Sequence, residues 1–301
     1  MPRYHFYTLD VFTDTRFGGN PLAVVLDADP LSGELMQTIA AEFNLSETVF
    51  VLRPVKTAAN RARLRIFTPQ TELPFAGHPT VGASYLLAQL DLVELDPADR
   101  LMVLEEGVGD VPVKVQWGKE GPRSTQMAVP RMPERGPAPP SRADLAAMLS
   151  LAEPDLLPGH AGWSCGVPFL FLPVRDREAM AKVKLRLDLW EKLLYGWWAK
   201  SVFLFTTDTV SQDAQIHARM FAPAMGVTED PATGSAASAL AGVLNDEHPR
   251  DGTGRWLIEQ GFEMGRPSLI ELETDVAEGK VTAIRVGGKS VLVSEGWLDI
   301  D

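Results

Sequence analysis

Two stretches of the chain, 79–90 and 236–244, carry no charged side chain and almost no polar face. A helix that is apolar all round is buried on every side, so each stretch is read as a helix at the centre of its own core. Around them run short segments rich in β-branched and aromatic residues and bounded by Gly, Pro, Asn or Asp: 5–12, 23–27, 48–52, 61–67, 100–104 and 111–117. That pattern predicts strands. Segments 281–286 and 290–294 flank Gly287-Gly288, a hairpin signal. Leu35, Ile39 and Phe43 recur every four residues after Ser32, which predicts an amphipathic helix with a serine N-cap. Ser141 precedes a similar helix carrying Leu145, Met148 and Leu149.

The two halves echo each other. Arg65-Ile66-Phe67-Thr68-Pro69 is matched by Arg219-Met220-Phe221-Ala222-Pro223, and Glu72-Leu73-Pro74-Phe75-Ala76-Gly77 by Glu229-Asp230-Pro231-Ala232-Thr233-Gly234. The shared pattern is R-x-F-x-P followed by E-x-P-x-x-G, and each buried helix begins just after it. Gly19-Asn20-Pro21 resembles Gly166-Val167-Pro168, and Thr48-Val49-Phe50 resembles Ser201-Val202-Phe203. Four blocks in colinear order at offsets of 147, 153, 154 and 157 residues indicate a duplicated domain with a pseudo-twofold relation. The expected class is therefore α+β: two pseudo-symmetric domains, each a mostly antiparallel, barrel-like sheet around a central buried helix.

At 301 residues the length suits two domains of about 150 residues. Six of the 23 prolines fall within 122–140, which reads as a linker between an N-terminal domain over 1–121 and a C-terminal domain over 141–289. The last strand, about 290–301, is a candidate to complete the first domain. A formal net charge of −12 argues against nucleic acid and anionic membrane as partners. The longest uncharged stretch, 156–174, holds three prolines and three glycines that break a membrane helix, and the N-terminus lacks a signal-peptide run. A cytoplasmic protein is expected.

Candidate chemistry gathers at the starts of the two buried helices. A helix N-terminus presents unpaired N–H groups and partial positive charge, so two such ends can hold a carboxylate although the protein is acidic. His78 stands at the first, Asp230 and Ser235 at the second; N-capping is the ordinary use of Asp and Ser there. Glu47 enters an apolar strand from Asn44-Leu45-Ser46, and a buried carboxylate needs a partner or a use. Other motifs fail on context. Gly162-Trp163-Ser164-Cys165-Gly166 fits a nucleophile elbow but lacks the following helix, and Gly288-Lys289-Ser290 lacks the first glycine of a phosphate loop. Gly107-Val108-Gly109 lacks a third glycine. The five histidines show no metal-ligand spacing, so no metal is expected, and the single Cys165 excludes a disulfide framework.

The segment from Asp10-Val11-Phe12-Thr13 onward, with Phe17-Gly18-Gly19-Asn20-Pro21, Asn44-Leu45-Ser46-Glu47-Thr48, Phe75-Ala76-Gly77-His78-Pro79-Thr80 and Glu229-Asp230-Pro231-Ala232-Thr233-Gly234-Ser235, resembles the PhzF family, the phenazine-biosynthesis-like proteins of the diaminopimelate epimerase fold. The resemblance implies an active site in the cleft between two similar domains, no cofactor, and a homodimer. It also implies proton transfer on a small carboxylic acid such as trans-2,3-dihydro-3-hydroxyanthranilate. On it, Glu47 is the acid/base, with His78 and Asp230 as catalytic partners and Ser46, Gly77, Gly234 and Ser235 as substrate-binding positions. The related epimerases place two cysteines at the helix-end loops. Here those positions offer Ala76 and Asp230, so two-thiol chemistry is contradicted. A small-acid-binding protein on the same scaffold, or an epimerase-like enzyme with another substrate, are the rival readings.

Overall fold

The computed structural model describes residues 2–56, 59–96 and 98–300. The chain forms two compact units, one made of the residues up to Pro130 together with those from Gly287 onward, the other of Arg131–Val286. The first seven residues of the proline-rich segment, Pro122–Ala128, form a strand of the first unit.

In the first unit the strand Arg3–Val11 lies between Asn20–Val25 and the C-terminal strand Ser290–Asp299, antiparallel to both. Asn20–Val25 runs parallel to Glu47–Leu52, which pairs antiparallel with Ala62–Phe67. Ala62–Phe67 then runs parallel to Leu101–Glu106, and antiparallel ladders join Gly109–Trp117 and Pro122–Ala128. Helix α1 (Gly33–Phe43) packs outside, placing Met36, Ile39 and Ala40 with Val25, Phe50 and Phe67. Ser32 caps it by accepting from Leu35 N, as its spacing predicts. Helix α2 (Gly77–Gln89) touches strands from both ends of this sheet and is buried at all but Tyr85 and Gln89. Its uncharged sequence thus fits the barrel-like interior it fills.

The second unit repeats these connections. Ala161–Ser164 pairs antiparallel with Pro168–Pro173, which runs parallel to Ser201–Thr206. That strand pairs antiparallel with Ile216–Ala222, which runs parallel to Gly252–Gln260, itself antiparallel to Ser268–Ala277. Three short helices, α3 (Arg142–Met148), α4 (Arg177–Lys182) and α5 (Leu187–Leu194), share an apolar cluster with the outer sheet face. Helix α6 (Gly234–Glu247) packs against Ala161–Ser164, Pro168–Pro173 and Ser268–Ala277 and takes the place that α2 has in the first unit.

Gly287-Gly288 is not the hairpin turn its composition suggests. A single residue, Lys289, separates the strands Lys280–Gly288 and Ser290–Asp299, too short for a two-residue turn. Ser290–Asp299 takes Arg3–Val11 as its partner instead. A Cβ on Gly287 would lie 2.3 Å from Thr125 O, so glycine is there for close backbone approach. The Gly162–Gly166 segment leads from strand to strand, with no helix behind it.

Candidate active site

The motif R-x-F-x-P…E-x-P-x-x-G fixes the entry to each buried helix. In the first unit Arg65 donates from Nε and Nη2 to the two carboxylate oxygens of Glu72, 2.7 Å each. Arg219 makes the same fork with Glu229 in the second, at 2.7 and 2.9 Å. Each guanidinium lies over the phenylalanine two residues on, Phe67 or Phe221, 5.1 Å from the ring centre. A bidentate pair with a stacked ring holds one geometry, and here it ties the last strand residues to the loop that opens the helix.

Neither buried helix is capped by a side chain. The N-cap residues are Ala76 for α2 and Thr233 for α6. Asp230 and Ser235 therefore do not serve as the caps that their residue types suggest; Gly77 and His78 open α2, and Gly234 and Ser235 open α6. Neither helix start is thus closed by the side chain of its own N-cap residue.

Glu47 begins the strand Glu47–Leu52, opposite Leu22. Asn44, left-handed at φ 51°, ends α1, so Leu45 and half-buried Ser46 form a short turn into that strand. The Glu47 side chain is 13% exposed, and its Oε2 lies 3.4 Å from Nε2 of His78, whose side chain is 6% exposed. On the other side of the ring, Nδ1 lies 3.4 Å from Nδ2 of Asn20. Burial pulls His78 down to about 3, so the imidazole is neutral near pH 7. An amide N–H facing Nδ1 makes that nitrogen the acceptor and leaves the ring proton on Nε2, toward Glu47.

Asp230 ends the strand Val227–Asp230 and is buried. Its Oδ2 accepts from Thr233 Oγ1 at 2.5 Å. Gln260 secures the same loop, its Nε2 donating to Asp230 O at 2.7 Å and Thr233 Oγ1 at 3.0 Å while its Oε1 accepts from Thr233 N. The structure thus joins Glu47 to His78 beside Ser46 and Gly77, and seats Asp230 before Gly234 and Ser235.

Sequence reasoning missed Asn20, Thr80, Glu106, Thr233 and Gln260. A further repeat at offset 154 carries the signal: Leu104-Glu105-Glu106-Gly107 against Ile258-Glu259-Gln260-Gly261. Glu105 accepts from Val55 N and Lys56 N, and Glu259 from Val210 N and Ser211 N, so each buried carboxylate closes an equivalent loop. Cys165 plays no comparable part: burial pushes its thiol up to about 12, and it donates to Ser238 O. Among the described residues no group of three or more His, Cys, Asp or Glu side chains is arranged to hold a metal ion, and no helix is long and apolar enough to cross a membrane.

Comparison with known proteins places this architecture. Residues 9–296 match the PhzC-PhzF family, described as phenazine biosynthesis-like protein, and the chain belongs to that family. An uncharacterised isomerase of Mesorhizobium japonicum is 41% identical, covering all of both chains. The trans-2,3-dihydro-3-hydroxyanthranilate isomerase of Pseudomonas aeruginosa is 37% identical, covering 97% of this chain and 98% of its own. A crystal structure of a PhzF-family phenazine biosynthesis protein from Bacillus anthracis superposes with a TM-score of 0.89 at 26% identity over the full length of both. The protein is an isomerase of the PhzF family.

Proposed function

We propose that this isomerase moves one proton on a small unsaturated carboxylic acid, with Glu47 as the acid/base and no cofactor in the step. The buried Glu47–His78 pair at the uncapped start of α2 is the observation that carries this reading. Glu47 takes a proton from one carbon of a conjugated acid and returns it to another; the π electrons shift between them, and the carboxylate is regenerated. Atoms and charge balance without an oxidant. His78, neutral and bearing its proton on Nε2, steadies Glu47 or a charge that develops on the substrate. Asp230, Gly234 and Ser235, at the start of α6, are proposed as positions that bind and polarise a substrate. Uncapped helix N–H groups suit its carboxylate.

The Pseudomonas relative makes trans-2,3-dihydro-3-hydroxyanthranilate the first compound to test. Incubation in deuterated water, followed by NMR, is expected to show isomerisation with label entering at one carbon. Binding without exchange would show that the proton-transfer role is wrong.

A further inference from the structure

Thr80, in the first turn of α2, has two oxygens at 2.7 Å from its hydroxyl: the carbonyl of Ala76 and Oε1 of Glu106. A hydroxyl has one proton. The carbonyl can only accept, so when Thr80 donates to Ala76 O, a short contact to Glu106 requires the proton to come from the Glu106 carboxyl. Glu106 is buried, and its Oε2 has no hydrogen-bond partner. The charged groups near it are otherwise engaged. Lys56 is held by Asp110, Arg65 by Glu72, and Glu105 by the Val55 and Lys56 N–H groups. Arg63 shares the same pocket, yet among the described residues no cation is within ion-pair distance of Glu106.

The internal repeat gives an independent second observation. Gln260 stands at the position of Glu106, 154 residues on, and its amide donates to the hydroxyl of Thr233, the N-cap of α6. A protonated glutamate is the closest chemical equivalent of that glutamine. Backbone approach matches too: a Cβ on Gly107 would meet Pro74 Cα at 2.7 Å, and one on Gly261 would meet Pro231 O at 2.6 Å.

We propose that Glu106 works as a neutral carboxylic acid that donates to Thr80, a positioning residue that holds the Ala76–Thr80 turn and thereby sets His78 against Glu47. This deepens the reading of the Glu47–His78 site and rests on it for its catalytic consequence. Burial raises Glu106 to about 8, so the device holds at neutral pH and releases above it. Ionisation draws the Thr80 proton away from Ala76 O and places a negative charge beneath the start of α2, where an anionic substrate is to bind.

Infrared difference spectra of the full chain, wild type minus Glu106→Gln at pH 7, are expected to show the carbonyl stretch of a protonated carboxylic acid, fading as the pH passes about 8. Absence of that band overturns the proposal whatever the substrate. The ring-nitrogen NMR signals of His78 are expected to stay in place in Glu106→Gln and to move in Glu106→Ala. Equal displacement in both overturns the positioning role. With trans-2,3-dihydro-3-hydroxyanthranilate, wild-type turnover is expected to fall on the alkaline side, while Glu106→Gln keeps neutral-pH turnover within about threefold and loses that limb. An alkaline limb unchanged in Glu106→Gln overturns the link to catalysis. Lack of turnover in wild type would instead refute the functional reading, with the infrared and His78 signals still deciding the state of Glu106.

Discussion

Among single residues, the proposed site contains a histidine that folding keeps neutral. His78 is pulled to about 3 from an ordinary value of 6.5. A base with a lowered folded pKa adds stability that is complete above its unfolded value and is lost as the pH falls toward the folded one. Between pH 6.5 and about 3, the unfolded chain takes up a proton that the folded chain refuses, at about 1.4 kcal/mol per pH unit. Urea unfolding at pH 7 and pH 4.5 is expected to show a smaller loss for His78→Gln than for wild type. Equal losses would mean that His78 titrates normally in the folded protein. Glu106 works in the opposite direction: with its folded value raised to about 8, its contribution is complete below the ordinary glutamate range and is lost as the pH climbs to about 8. The two residues together favour a mildly acidic stability optimum.

Among the elements, each buried helix is introduced by a rigid loop, and glycine shows where rigidity is needed. Gly261 has φ 79°, and a Cβ there would run into Pro231; Gly265 has φ 69° with nothing within 4 Å. Both positions carry the left-handed strain of a side chain, about 1 kcal/mol, but only Gly261 adds a clash. Gly261→Ala is expected to destabilise the protein by roughly 2–3 kcal/mol and Gly265→Ala by about 1 kcal/mol in chemical denaturation. Equal costs would remove the argument for close packing against Pro231. The repeat blocks that contain Arg65, Arg219, Glu72 and Glu229 are legible in sequence because the bidentate clamp requires those residue types at fixed positions. The companion block ending in Gly107 and Gly261 is harder to see. Glu106 and Gln260 differ in letter while doing related work, and a buried acid on a strand looks like any solvent-facing one. Gly107 itself reads as part of a glycine motif that lacks its third glycine until Pro74 is seen against it. The uncapped helix ends are also invisible in sequence, where Asp230 and Ser235 look like ordinary caps.

Across the molecule as a whole, two units share one order of parallel and antiparallel pairings, each around a helix whose buried stretch is uncharged. The duplicated motifs foretell that plan, because a helix apolar all round has nowhere else to go. The parallel pairs do not show in the pattern, since a fully buried strand reads alike in either orientation. The return of the chain to Arg3–Val11 is hinted at only by length. A net charge of −12 repels an anionic substrate at long range, so the site is proposed to meet a carboxylate with backbone dipoles rather than a field of cations. Salt screens that repulsion. The KM for a carboxylate substrate is therefore expected to fall as ionic strength rises from about 10 mM to about 150 mM, and a rising KM would point to cationic recognition instead.

Everything proposed for this site turns on Glu47 carrying the proton. Deuterium incorporation and isomerisation of trans-2,3-dihydro-3-hydroxyanthranilate can be followed by NMR for wild type and Glu47→Gln in parallel, with circular dichroism confirming that both are folded. The expected result is turnover with label incorporation in wild type and a loss of about 10²–10⁴-fold or more in Glu47→Gln. A folded Glu47→Gln protein that still isomerises the acid at near wild-type rate would contradict it.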